Sequence, residues 1–220
     1  MRISRTAKII LGIITSFVIT AIYLPLVIVV INSFNTSMNM DWPPPGFTLN
    51  WWEKAFGSGG LIAALTTSVL IAICASLIAI VLGTLLAMAL SRYKFFGKES
   101  IGLMVILPIA LPGIVTGLAL NNAFRTVLGM QLSMATVIVA HATFCIVTVY
   151  NNVLARLART SKNLEDASAD LGAGIWTTFR RVTLPQIRSA LIAGGLLAFA
   201  LSFDEIIVTT FTAGAGVETL

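Results

Sequence analysis

Residues 61–90 read LIAALTTSVLIAICASLIAIVLGTLLAMAL, thirty positions without Asp, Glu, Lys or Arg. A helix of that length is about 45 Å long at about 1.5 Å per residue, enough to cross the roughly 30 Å hydrocarbon layer of a bilayer even when tilted. In lipid every backbone N–H and C=O must find a partner inside the segment or in a closed barrel. The run has none of the period-two alternation of barrel strands, so it predicts a membrane helix.

Four further blocks follow the same reading: Ile9 to Ile31, Ile101 to Leu120, Ser133 to Leu154, and Ser189 to Phe211, the last interrupted by Asp204 and Glu205. Composition agrees, with 57% hydrophobic and 10% charged residues and a mean hydropathy of +0.95, against roughly 25% charged residues in soluble chains. The expected fold class is an all-α membrane bundle of five spans, in one transmembrane domain covering residues 1–220. The first block is too long for a signal-peptide core and no A-x-A-like cleavage site follows it, so it reads as a retained span. Cys74 and Cys145 both fall within spans and read as small packing residues without redox role.

Charge sets the expected orientation. Twelve of the fourteen basic residues precede span one, follow span two, or lie between spans four and five, whereas the opposite side holds only Lys54 and Arg125. The basic-rich side is cytoplasmic by the positive-inside rule, which places the N-terminus inside and Leu220 outside. The net charge of +5 is then a matter of topology and calls for no nucleic-acid partner.

Two loops and one span stand out. The outer loop 32–60 carries Trp42, the run Pro43-Pro44-Pro45, and Trp51-Trp52, which predicts a re-entrant or interfacial segment anchored at headgroup level. Span three holds Pro108, Pro112, Gly113 and Gly117 and is expected to kink. The inner loop, at about 151–188, is far longer than a connection needs. Within it Asn163 to Leu171 predicts a helix with acids near its start, Gly172 and Gly174 a stop, and Ile175 to Val182 a second helix ended by Pro185. Trp176, Phe179 and Val182 form an apolar stripe along that second piece.

In this loop Asp166-Ala167-Ser168, then Gly172, then Val182 and Leu184-Pro185, resembles the E-A-A loop of ABC-importer permeases, in which a Gly and I-x-L-P follow at fixed spacing. Asp166 stands where Glu is usual, Ser168 where the second Ala is usual, and Val182 for Ile; the register is kept. Asn32-Ser33-Phe34-Asn35, the Pro-Gly-Phe-Thr-Leu outer loop and Ser202-Phe203-Asp204-Glu205 extend the resemblance to permeases of the spermidine/putrescine type, over nearly the whole chain. The resemblance implies a type I importer bundle that usually has six spans, so this sequence looks as if it lacks the last one. It also implies that the short helix around Asp166 to Gly172 couples to a cytoplasmic ATPase dimer, with ATP and magnesium held there and no cofactor on this chain. A second permease subunit, an external substrate-binding protein and membrane lipid are the other partners implied.

The residues themselves are consistent with a transport subunit that is not an enzyme. The chain has no G-x-x-x-x-G-K-[ST], H-E-x-x-H or G-x-S-x-G motif, and its sole histidine, His141, reads as a packing residue. A membrane carboxylate is costly unless it faces protein or water, which makes Asp204 and Glu205, with Phe203 beside them, the candidate path for a cationic substrate. Ser202 and Glu205 stand three apart as in a capping box, so Glu205 is also a candidate for restarting a broken helix. An ion-coupled secondary carrier using the same two acids is the rival reading, and an importer for another small solute is the second.

Overall fold

The structure is a computed structural model that describes residues 4–161 and 163–220. Arg2 and Lys162, both counted in the charge pattern, lie outside the described residues. The chain divides into two compact units, Met1–Ile62 and Ala63–Leu220.

In the first unit, Ser4 opens helix α1 (Arg5–Asn32) by accepting a hydrogen bond from the Ala7 amide at 3.2 Å. The loop after α1 folds around Asn35, which is buried. Its side-chain amide donates to the Asp41 carbonyl at 3.0 Å, its carbonyl accepts from the Ser37 amide at 2.9 Å, and its backbone carbonyl accepts from the Trp51 indole at 2.9 Å. Trp51 belongs to the short helix α2 (Asn50–Gly57), whose Trp52 stands between Phe34 and Phe56 with ring centroids 5.9 and 6.1 Å apart. The tryptophans and the proline run thus belong to a small ordered substructure at the end of α1.

The second unit is built on three long helices, α3 (Gly59–Arg92, in this unit from Ala63), α6 (Met134–Ala158) and α9 (Leu184–Phe203). With no hydrophobic force between helices in lipid, close packing of small residues has to hold such a bundle. Small residues accordingly predominate on the buried face of α3, where Ser68, Ala72, Ala75, Ser76, Ala79, Gly83 and Ala87 stand with the larger Ile71, Thr84 and Leu90. The α6 and α9 backbones touch at Gly194, where an added Cβ would lie 3.2 Å from the Cα of Val149. Cys145 sits fully buried in that interface and its thiol donates to the Ala198 carbonyl at 3.3 Å.

Among the described residues four helical segments, α1, α3, α6 and 175–203, have the length and apolarity to cross a membrane; a bent pair brings the number to five if it counts as one span. That pair is α4 (Lys98–Ala110) and α5 (Gly113–Asn122), the latter prolonged by a π turn, Ala123–Val127. The expected kink in span three is a break of 108°. Proline disfavours the helical conformation of the residue before it, and here Leu111 is extended (φ −88°, ψ 144°) and Pro112 becomes the N-cap of a new helix.

Two other expectations need correction. Pro185 does not end the helix begun at Ile175. A π turn, Phe179–Thr183, carries α8 (Ile175–Thr178) into α9, and Pro185 is the second residue of α9, directly after that widened turn. The last block therefore starts well before Ser189. It breaks after Phe203 and resumes as α10 (Ile206–Thr212), which packs on α5 and α6.

Candidate functional site

Two groups of predicted residues lie at opposite ends of α9, a rod of twenty residues and so about 30 Å long.

At its start is the inner-loop segment. Helix α7 (Asn163–Asp170) carries Glu165 and Asp166 in its first turn, where negative charge complements the helix dipole. The two acids face differently. Glu165 is part-buried, pairs with Arg92 at the end of α3, and accepts from the Thr183 hydroxyl at 2.8 Å. Asp166 and Ala167 are exposed, and the Asp166 side chain makes no hydrogen bond among the described residues. Ser168 turns inward and its hydroxyl lies 3.0 Å from that of Thr178, which ties α7 to α8.

Between α7 and α8, Gly172 has φ +80°, the left-handed conformation that a side chain disfavours. The turn satisfies the end of α7, with the Gly172 amide donating to the Ala169 carbonyl at 2.8 Å and the Ala173 amide to the Ser168 carbonyl at 3.1 Å. It projects apolar side chains outward: Leu171, Ile175 and Trp176 are 89%, 92% and 71% exposed. Of the expected apolar stripe, Trp176 stacks on Phe179 at 5.6 Å, while Phe179 and Val182 are half-buried at the root. Asp166, Ala167, Ser168 and Gly172 thus form one protrusion. Val182, Leu184 and Pro185 lie in its helical stem.

At the other end of α9 are Phe203, Asp204 and Glu205. Phe203 stacks on Phe199 at 6.0 Å, and Asp204 ends the helix with its carboxylate exposed and without a hydrogen bond among the described residues. Glu205 does restart the helix, but as the N-cap itself, its side chain accepting from the Val208 amide at 2.9 Å. The expected Ser202 capping box is absent. A Cβ added to Gly113 would lie 3.7 Å from the same Glu205 oxygen, so this carboxylate stands at the first turns of both α10 and α5.

Ser202 instead faces His141. The imidazole is buried among the helices, with Nδ1 2.8 Å from the Ser202 hydroxyl and Nε2 2.9 Å from that of Thr209. Its sequence reading as simple packing missed both bonds, as it missed the pairing of Glu165 with Arg92. Neither leaves a local signal, since the partners are 61, 68 and 73 positions away.

These arrangements fit what the chain is similar to. The spermidine/putrescine transport system permease protein PotC of Haemophilus influenzae is 36% identical over 93% of this chain and 79% of its own length. The putrescine transport system permease protein PotI of Escherichia coli K12 is 35% identical over 91% of this chain and 73% of its own length. Among solved structures, a bacterial ABC transporter involved in the import of the acidic polysaccharide alginate has a chain that superposes with a TM-score of 0.74. The superposition covers 99% of this chain and 79% of that one, at 14% identity, a likeness of fold. Residues 79–220 match the family described as binding-protein-dependent transport system inner membrane component, and with these relatives the match establishes that the chain belongs to that family of transport permeases.

Proposed function

We propose that this chain is a permease subunit of an ABC importer for putrescine- or spermidine-like cations, driven by ATP and magnesium on a separate ATPase dimer. A second permease and an external binding protein complete the assembly. The observation that carries the coupling role is the protrusion 163–178. An acid, two small residues and a left-handed glycine stand on a rigid outward turn with Leu171, Ile175 and Trp176 projecting beside them. Such an exposed apolar group rimmed by charge fits a protein partner. Its root is tied to α3 through Arg92 and, through Thr183, to the π turn that leads into α9, so a push on α7 reaches two membrane helices.

The substrate class rests on the polyamine names of the relatives and on Asp204, a free carboxylate beside the stacked rings of Phe199 and Phe203, a setting that attracts ammonium groups. The charge pattern supports a cytoplasmic N-terminus and protrusion.

Reconstitution in proteoliposomes with the partner subunits tests the reading. Uptake of spermidine is expected to require ATP and the binding protein, and Asp204→Asn to lower it about tenfold with assembly intact, the scale of one lost charge-assisted contact. Uptake driven by a proton or sodium gradient without ATP would instead favour the carrier reading. Single cysteines at Ser4 and Ser161 are expected to label from the cytoplasmic side and those at Ser58 and Ala215 from the opposite side. A periplasmic Ser161 contradicts the orientation.

A further inference from the structure

We infer that His141 is a positioning residue, which holds the α9–α10 break in the shape that presents Asp204. This rests on the proposal that Asp204 lies on the substrate path.

The hydrogen bonds around the imidazole have one consistent direction. The Thr209 hydroxyl donates its single proton to the Glu205 carbonyl at 2.6 Å, so towards His141 it acts as acceptor. Nε2 must then carry the ring proton, and Nδ1 must accept from the Ser202 hydroxyl at 2.8 Å. The chain runs from Ser202 through His141 and Thr209 to the carbonyl of Glu205. It starts before the break, leaves the helix for α6, and returns after the break. The imidazole thus bridges two side-chain hydroxyls, one on each side of the break.

The two arms are not equivalent. Helix α9 is clamped on α6 without His141, by the contact at Gly194 and the bond from Cys145 to Ala198. Helix α10 has seven residues, too few to be stable alone. Its far end is held by Asn121, which donates to the Phe211 carbonyl at 2.5 Å, and by Thr136, which donates to the Thr212 carbonyl at 2.8 Å, whereas its first turn is held by the Glu205 cap and the imidazole. The Thr209 arm is therefore the one that holds the first turn of α10, and with it the turn at Asp204. Phe144 packs tilted against the imidazole at 5.4 Å and confines it to this orientation.

The test uses the assembled transporter with three variants. His141→Phe keeps the ring and removes both bonds. His141→Gln keeps a donor at the reach of Nε2, and His141→Asn keeps an acceptor near the place of Nδ1. With His141→Phe, backbone amides of residues 206–212 are expected to exchange with deuterium about tenfold faster and spermidine uptake to fall about tenfold, the scale of one lost buried hydrogen bond. His141→Gln is expected to restore most of both and His141→Asn little. Because His141 acts through Asp204, adding His141→Phe to Asp204→Asn should lower uptake no further.

Unchanged exchange in His141→Phe overturns the inference, as does a loss of uptake that adds fully to that of Asp204→Asn, the mark of a merely structural role. If Asp204→Asn transports at the parent rate, the path reading itself has failed, and the exchange data still report separately whether the imidazole holds α10. Should His141→Phe fail to assemble, the decision falls to the pair of amides. Asn equal to or better than Gln overturns the inference.

Discussion

The chain is interrupted at both ends of α9, and the two interruptions are built in opposite ways. At the Gly172 turn the characteristic groups face outward: Asp166 has no hydrogen-bond partner among the described residues, and Leu171, Ile175 and Trp176 are largely exposed. At the Asp204–Glu205 break the Glu205 cap and the route through His141 satisfy polar groups within the chain, and the Asp204 carboxylate is exposed without a hydrogen bond among the described residues. An exposed apolar turn on a rigid stem is a surface for another protein. A break closed by its own hydrogen bonds is an internal joint that offers one group to the path.

The largest effect is expected at the outward turn. Gly172→Leu forces a left-handed side chain, about 1–2 kcal/mol, and obstructs docking at the centre of the surface, worth about 2 kcal/mol or more. Uptake should fall at least about hundredfold; undiminished uptake would break the contrast. Next comes the tie behind the turn. Arg92→Ala leaves the part-buried Glu165 without its ion pair, with Thr183 alone, and should destabilise the purified chain by about 2–3 kcal/mol, seen as a lower thermal midpoint in detergent. An unchanged midpoint means that the protrusion is not braced on α3.

Trp176→Ala sharpens the contrast from the other side. It should weaken ATPase association by about 2 kcal/mol, roughly thirtyfold, yet alter the stability of the isolated chain by less than about 0.5 kcal/mol, because the indole is 71% exposed. The smallest effect is expected at the internal joint. Glu205→Gln keeps the shape and an oxygen acceptor while removing the charge at two helix starts, at about 1 kcal/mol in the thermal midpoint. A larger loss of uptake than of stability would move Glu205 from the joint to the path.

Much of the outward region was legible in the sequence, because helix starts, a left-handed glycine and exposed motif residues are written in adjacent positions. The α7 helix, the Gly172 turn and the apolar side chains of the second piece could be read that way. The stem was misread at Pro185 because a proline marks an end or a first turn equally well until the preceding chain is seen. The break after Phe203 was also visible, since two adjacent acids in an apolar block have no other easy explanation. What closes it was not. His141 meets Ser202 and Thr209 only after α6 and α9 have packed, and Ser202 was matched to a local capping pattern because nothing in the sequence shows a partner 61 residues away. The 108° break between α4 and α5 was underestimated as a kink for a related reason: Pro112 with an extended Leu111 fixes the stop, whereas the direction of the new helix is set by what it packs against, here α10.

Site-directed cross-linking bears most directly on the outward turn as the contact with the energy-supplying subunit. In a chain with Cys74 and Cys145 replaced by alanine, Trp176→Cys is paired with single cysteines placed over the ATPase surface of the assembled transporter, and Ala215→Cys serves as the control. The cysteine at 176 is expected to form a disulfide with the ATPase in a yield that changes on addition of ATP, and the cysteine at 215 to form none. A complex that hydrolyses ATP and imports spermidine while the cysteine at 176 cross-links to no ATPase position would contradict that contact.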